Sequence, residues 1–264
     1  MNENLNRSGD VPLRHEQIHV REIPLGVSRK MIEDYHYLHK WTPSTVCLGV
    51  FKDDDPNPIG TIVYGTICGR PVLGGLFTKP EIPIGSENVF VPSNQSVWEL
   101  KRMWVRDKTG FNGESISISK SFDWLRENRP EVRVLLSYSS PSDGHKGTIY
   151  QSTNWWYQDL YGGLQSSGFS LSFKHPDRTE PHEWIHSRTL GHIYGGRSLD
   201  VLTRKIGRTF WIREDVHKYR YIYFLGGKTE RKRLMEHLVH PATREYPKKT
   251  VDSGRIQEIR VVTE

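Results

Sequence analysis

The stretch from Val97 to Tyr150 constrains the fold more than any other part of the chain. VWELKRMWV reads as a strand, RDKTGFNGES as a Gly-containing turn, SISISKSFDWLREN as a helix and VRVLLSYSS as a second strand, before a polar loop that ends in GTIYQ. A strand that feeds a helix through a turn of small residues leaves free backbone N–H groups where an anionic ligand can sit. The next strand then opens onto a loop with His145 and Tyr150, two side chains able to move protons. Together these features point to an enzyme with a phosphate-bearing cofactor beside an acid or base.

Composition narrows the class. The chain has 264 residues, 35% of them hydrophobic, enough for one large domain or a core with an appendage. No apolar run of about 18 residues occurs, so a transmembrane helix is not expected. The first residues, MNENLNRSGDVPLRHEQ, lack the apolar centre of a signal peptide and read as a disordered lead-in over 1–17. The two cysteines, Cys47 and Cys68, exclude a disulfide scaffold and a four-cysteine zinc site. Both lie in apolar runs, as small core residues would, and a reducing cytoplasmic setting is expected.

Charge is unevenly placed. Residues 1–200 carry 22 Lys+Arg against 23 Asp+Glu, whereas residues 201–264 carry 15 against 8. The same quarter holds Trp211, Tyr219, Tyr221, Tyr223 and Phe224. Basic residues interleaved with aromatics are the footprint of a nucleic-acid partner. Arg208, Arg213, Lys218, Arg220, Lys228, Arg231, Lys232 and Arg233 are the candidate contacts; a solvated helix face is the plainer alternative for KTERKRLMEHL.

Hydrophobic periodicity predicts a strand at 18–25, a helix over RKMIEDYHYLHKW, and a hairpin of TVCLGVFKD (45–53) with PIGTIVYGTIC (58–68). Residues 69–95 are rich in Gly and Pro and read as an irregular excursion. YQSTNWWYQDL reads as a short helix and SGFSLSFKH as a strand. FWIRED and HKYRYIYFL read as a second hairpin, and residues 177–209 show little period. The order implies an α/β fold with a mixed, mostly antiparallel sheet flanked by helices. A core over 18–175 would carry a basic extension over 176–250 and a tail over 251–264.

Candidate chemistry concentrates in three places. Gly110 and Gly113 flank the turn before Ser115, where backbone could approach a pyrophosphate and a hydroxyl could add a donor; an ordinary helix cap is the alternative. The loop after the second strand offers Asp143, His145 and Tyr150 at the strand end where open α/β sheets bind ligands. A Tyr hydroxyl suits general acid work toward a departing thiolate, the two groups having similar acidity; it could equally be a packed helix residue. His36 and His39 stand three apart beside Tyr37. No third ligand accompanies them, so a metal is not expected, and the aromatic helix end could stack on an extruded base.

These residues carry a family resemblance. YHY at 35–37, LGVF at 48–51, GTIVYG at 60–65, ELKRMWV at 99–105, NGES at 112–115, SYSSPSDGHKGTIYQSTNWWY at 137–157 and KYRYIYFL at 218–225 resemble the bacteriophage Mom-like DNA-modification proteins, a divergent branch of the N-acetyltransferase (GNAT) superfamily. The resemblance implies an acetyltransferase-like fold and conversion of adenine in double-stranded DNA to an N6-carbamoylmethyl derivative, which shields phage DNA from host restriction. It implies acetyl-CoA or a related acyl-CoA as cofactor. Carried over by position, the adenine-side Tyr falls on Tyr37, the strand Arg on Arg102, the helix-start Ser on Ser115 and the Tyr of the TIYQ block on Tyr150. Where the family often has an acidic residue in the loop this chain has Ser140, and Asp143 follows three residues on. The glycine spacing at 110 and 113 also departs from the usual acetyltransferase pyrophosphate pattern. An acyl-CoA-dependent N-acetyltransferase acting on another amine and a non-catalytic DNA-binding protein are the alternative readings.

Overall fold

Strands with apolar residues at every position belong inside a sheet covered on both faces, and two segments here have that character. VCLGVFK and GTIVYGT are buried along nearly their whole length and lie near the centre of a seven-stranded sheet. The computed structural model describes residues 13–67, 70–107, 110, 112–249 and 256–260. Cys68, most of the lead-in, most of the tail and three residues of the 107–115 turn lie outside the described residues.

In chain order the elements are β1 (Ile18–Glu22), α1 (Leu25–Tyr35), β2 (Val46–Lys52), β3 (Gly60–Thr66), α2 (Arg70–Gly74), β4 (Ile82–Pro83), β5 (Val89–Phe90), β6 (Val97–Val105), α3 (Gly113–Asn128), β7 (Val134–Ser139), α4 (Thr148–Ser152) and β8 (Trp156–Gln158). There follow β9 (Ser166–Ser172), β10 (Ile185–His186), α5 (Ser187–Tyr194), α6 (Leu199–Ile206), β11 (Phe210–Val216), β12 (Tyr219–Phe224), α7 (Lys228–Glu236) and β13 (Ile256–Ile259). Contacts divide the chain into two units. The first holds the residues up to Tyr138, Thr148–Gln158 and Arg220–Glu245; the second holds Ser139–Gly147, Asp159–Tyr219 and the residues from Tyr246 on. The division interleaves along the sequence and does not fall at residue 175.

The first unit is built on the sheet β1-β2-β3-β6-β7-β12-β8. β1, β2, β3 and β6 form an antiparallel run, and β6 pairs parallel with β7 through the crossover helix that a parallel pair requires, α3. α1 docks on the sheet through a buried polar link: Ser28 Oγ is 2.7 Å from Thr61 Oγ1, which donates to the Leu48 carbonyl. Below it Ile32, Cys47 and Val63 form an apolar cluster with Trp41 and Trp104. A second cluster joins β7 and β12 to α7 through Val134, Leu136, Ile222, Phe224 and Leu234.

The second unit is a four-stranded antiparallel sheet, β10-β9-β11-β13, with Leu171, Leu190, Leu202 and Phe210 as its core. Residues 177–209, weak in period, hold α5 and α6, each closed by a glycine in the left-handed region, Gly195 and Gly207, which a side chain would strain.

Two sequence expectations are corrected. β11 and β12 do not form a hairpin: β11 pairs with β9 and β13, β12 with β8. Two-residue hairpins need positive φ, which glycine and asparagine supply, and His217-Lys218 offers neither. The helix expected over YQSTNWWYQDL ends at Ser152, because Asn154 turns left-handed at φ 64°; Trp156 then begins a strand.

Candidate active site

The site is organised by β6 and its neighbours. Pairing of β6 with β7 runs from Val97 to Glu99, against Val134 to Leu136, while β6 continues to Val105 and β7 to Ser139. Beyond Glu99 the two strands are no longer paired with each other, and backbone groups along such a stretch can pair with an extended ligand. On its other side β6 slips register against β3 between Val63 and Tyr64. The bulge places Leu100 and Lys101, consecutive residues, both in the interior. Arg102 follows; its Nη1 donates to the Lys101 carbonyl at 2.6 Å and its Nε to Lys40 O at 3.4 Å.

That last bond brings the end of α1 to the same strand. His36 is buried, its Nδ1 accepting from the Leu38 N–H at 3.1 Å. Tyr37 is exposed and stacks on His36 with ring centroids 4.4 Å apart. An exposed ring backed by a buried one is a suitable surface for an aromatic ligand.

Tyr150, in α4, lies across the opening of β6 and β7. Its hydroxyl is 2.7 Å from Ser137 Oγ, which is 2.8 Å from the Leu100 carbonyl. The ring meets Trp155 at 5.3 Å and Tyr221 at 5.0 Å. Behind Trp155, Phe122 and Tyr223 stack at 4.0 Å. Burial in this aromatic wall pushes the Tyr150 phenol above its ordinary value; the Ser137 hydrogen bond pulls it back, Glu99 raises it and Arg102 lowers it. Among these groups the phenol is held neutral and keeps its proton.

The start of α3 is less open than the sequence suggested. Gly110 has φ 126° and Asn112 φ 67°, and Gly113 begins the helix buried. Ser115 Oγ donates to the Asn112 carbonyl at 3.0 Å, so its proton serves its own helix. Glu114, in the first turn, has its carboxyl raised by burial and by nearby Asp107. These two carboxylates oppose an anion at the same helix end whose amides attract one.

Ser140 and Asp143 fall in the second unit. The Ser140 carbonyl accepts from the N–H groups of Asp143 and His145. Asp143 is an ion-pair partner: Arg213 Nη2 lies 3.0 Å from its Oδ1 and 3.4 Å from Asp215 Oδ1, with the guanidinium over Trp184 at 4.8 Å. Among the described residues no group of three or more His, Cys, Asp and Glu could hold a metal ion, and no helix is long and apolar enough to cross a membrane.

The basic candidates are divided. Arg208, Lys218, Lys228, Lys232 and Arg233 are exposed and Arg231 is partly so. Arg208 lies over Phe173 at 3.9 Å. Arg220 does not reach the surface: it is buried and its Nε donates to Gln158 Oε1 at 2.9 Å. Sequence reasoning passed over Ser137, although its place at the inward end of an apolar strand was a signal. It also passed over Tyr221 and Tyr223, which meet Tyr150 and Trp155 from one face of β12, a shared face that the two-residue spacing in YRYIYF announces.

Fold and site define a mixed-sheet α/β protein in which a buried tyrosine, Tyr150, meets a parallel strand pair where its pairing ends. The chain belongs to the Mom protein family, whose model matches residues 17–248. It is 29% identical over 239 residues to "Methylcarbamoylase mom" of Escherichia phage Mu, covering 88% of this chain and 85% of that one. Solved structures similar to it include a GNAT-family acetyltransferase from Bacillus anthracis, 9% identical, TM-score 0.38, over 81% of this chain and 99% of the other. Another is Arabidopsis thaliana NAA60 in complex with acetyl-CoA, 9% identical, TM-score 0.40, over 78% and 99%.

Proposed function

We propose that this chain is a DNA-modifying transferase of the Mom type that converts adenine in phage DNA to an N6-carbamoylmethyl derivative and so protects that DNA from host restriction. The observation that carries the reading is the family match across residues 17–248, with a named methylcarbamoylase aligned along most of both chains. The site is consistent with it. Tyr150 is the proton-handling group, and Tyr37, stacked on His36, is the surface for an adenine turned out of the duplex, where its amine is freed from pairing. Lys228, Arg231, Lys232 and Arg233 on α7, with Arg208 and Lys218 in the second unit, would neutralise phosphates.

An acyl-CoA, acetyl-CoA in the finer reading, would lie along β6 and β7 beyond their paired stretch. The backbone beyond Glu99, Arg102 and the first amides of α3 near Gly110 and Gly113 would hold it, with Asp107 and Glu114 limiting how closely phosphates approach. Its thioester would supply an activated carbon unit and a thiolate leaving group.

Mass spectrometry of nucleosides from the DNA of expressing cells tests the reading. Modified deoxyadenosine should appear with the wild-type chain and fall by at least about 100-fold with Tyr150→Phe, the scale of a lost general acid. Unmodified deoxyadenosine alone, from folded soluble protein, would defeat it. Acetyl-CoA turnover indifferent to added DNA would point instead to an acetyltransferase acting on another amine.

A further inference from the structure

Ser137 has a bookkeeping problem that its neighbours make informative. Its hydroxyl carries one proton, and two oxygens stand within donor range, Tyr150 Oη at 2.7 Å and Leu100 O at 2.8 Å. The carbonyl can only accept, whereas the phenol can donate or accept. Ser137 is buried, so these two are its neighbours in both protonation states of the tyrosine. Two arrangements follow, and only the first makes both hydrogen bonds. With Tyr150 neutral and at rest, the phenol donates to Ser137 and Ser137 donates to Leu100 O. With the phenol proton directed away or gone, Ser137 rotates and donates to the phenol oxygen.

We propose that Ser137 is the positioning residue for Tyr150, a rotating donor that holds the phenol oxygen at rest and stabilises the phenolate after proton transfer. The proposal rests on the functional reading above. When Tyr150 acts, its O–H bond breaks and the proton forms a new bond to an acceptor. A bound acyl-CoA would supply that acceptor as the sulfur freed when its C–S bond is replaced by a bond to the amine, whose own proton goes to solvent. The electron pair stays on the phenolate oxygen. The Ser137 O–H bond stays intact and only its direction changes. Glu99 and Arg102 on β6, Tyr64 on β3 and Tyr221 on β12 are the other charged or titratable groups around the ring. Burial raises the phenol most and Glu99 and Arg102 act in opposite senses, so the hydrogen bond from Ser137 is the main effect that eases phenolate formation.

The experiment is a pH titration of ring-labelled tyrosine by NMR in the full chain, with the Tyr150 resonance identified by its loss in Tyr150→Phe. Ser137→Ala should move the Tyr150 titration upward by about one pH unit, the scale of a hydrogen bond to a charged group. The rate of DNA modification should fall about tenfold, and the alkaline limb of its pH profile should move upward with the titration. Ser137→Thr, which keeps the hydroxyl, should restore both. Ser137→Cys has nearly the same volume and a weak donor, so it should repeat the upward shift if the alanine variant does not fold. A Tyr150 titration unmoved or lowered in the Ala or Cys variant overturns the proposal even if Tyr150→Phe abolishes modification. Full modification by Tyr150→Phe overturns the proton-transfer role of Tyr150, and with it any catalytic sense of the pair, whereas unmodified deoxyadenosine from cells with folded wild-type protein overturns the functional reading beneath it.

Discussion

At the scale of single residues, buried hydroxyls are handled in one recurring way. Tyr64 Oη is 2.7 Å from Ser121 Oγ, which donates to the Ile118 carbonyl at 2.7 Å, the same order of groups as Tyr150, Ser137 and Leu100. Burial pushes the Tyr64 phenol above its ordinary value, and this has a consequence for stability. The unfolded chain releases the proton near pH ~10, while the folded chain holds it to higher pH. The stabilisation is therefore fully present below pH ~10 and is lost as pH rises toward the folded value. Unfolding free energy measured in urea should decline above pH ~10 by up to about 1.4 kcal/mol per pH unit for each such tyrosine, and Tyr64→Phe should flatten the slope by one proton. An unchanged slope would mean that Tyr64 titrates normally. Such residues were partly legible. Tyr150 and Arg102 stand out by type and by place after or within a strand, but Ser137, a small polar residue near the end of a strand, does not stand out by type. Arg220 counted toward a basic surface because a charge tally contains no information about burial.

Among elements, the start of α3 sets two opposed effects against each other. Its free amides favour a phosphate, while Asp107 and Glu114 disfavour one. Glu114→Gln should tighten binding of coenzyme A about two- to fivefold, the scale of one charge at a helix end. Isothermal titration calorimetry would read this, and unchanged or weaker affinity would place the phosphates away from this turn. β2, β3, β6, α3 and β7 were readable because their periods are local properties of the sequence. β8 was not, since one left-handed residue, Asn154, ends a helix that propensity would continue. The partners of β11 and β12 were hidden for a different reason: which strands pair is decided by distant segments, here β9 and β8.

Across the whole molecule the charge asymmetry becomes a binding prediction. The net positive quarter of the sequence leaves Lys228, Lys232 and Arg233 exposed on one short helix, held to the first unit by the ion pair of Glu230 with Arg133. Replacing any one of the three by alanine should weaken DNA binding about equally for all sequences. It should also reduce the slope of log affinity against log salt by about one. Fluorescence anisotropy at several salt concentrations checks this, and a slope unchanged in all three variants would remove α7 from the interface.

The interleaved division of the chain also dictates an order of events during synthesis. The first unit has its N-terminal strands, β1 to β7, early, yet β12 and α7 arrive only after every residue of Asp159–Tyr219 has been made. Until then the edge of β7 that β12 will occupy, with Val134 and Leu136 beside it, has no partner strand. A nascent chain in that condition carries an open apolar edge of the kind that templates aggregation. Translation speed and chaperone supply between residues 139 and 224 should therefore govern how much of this protein reaches its folded state.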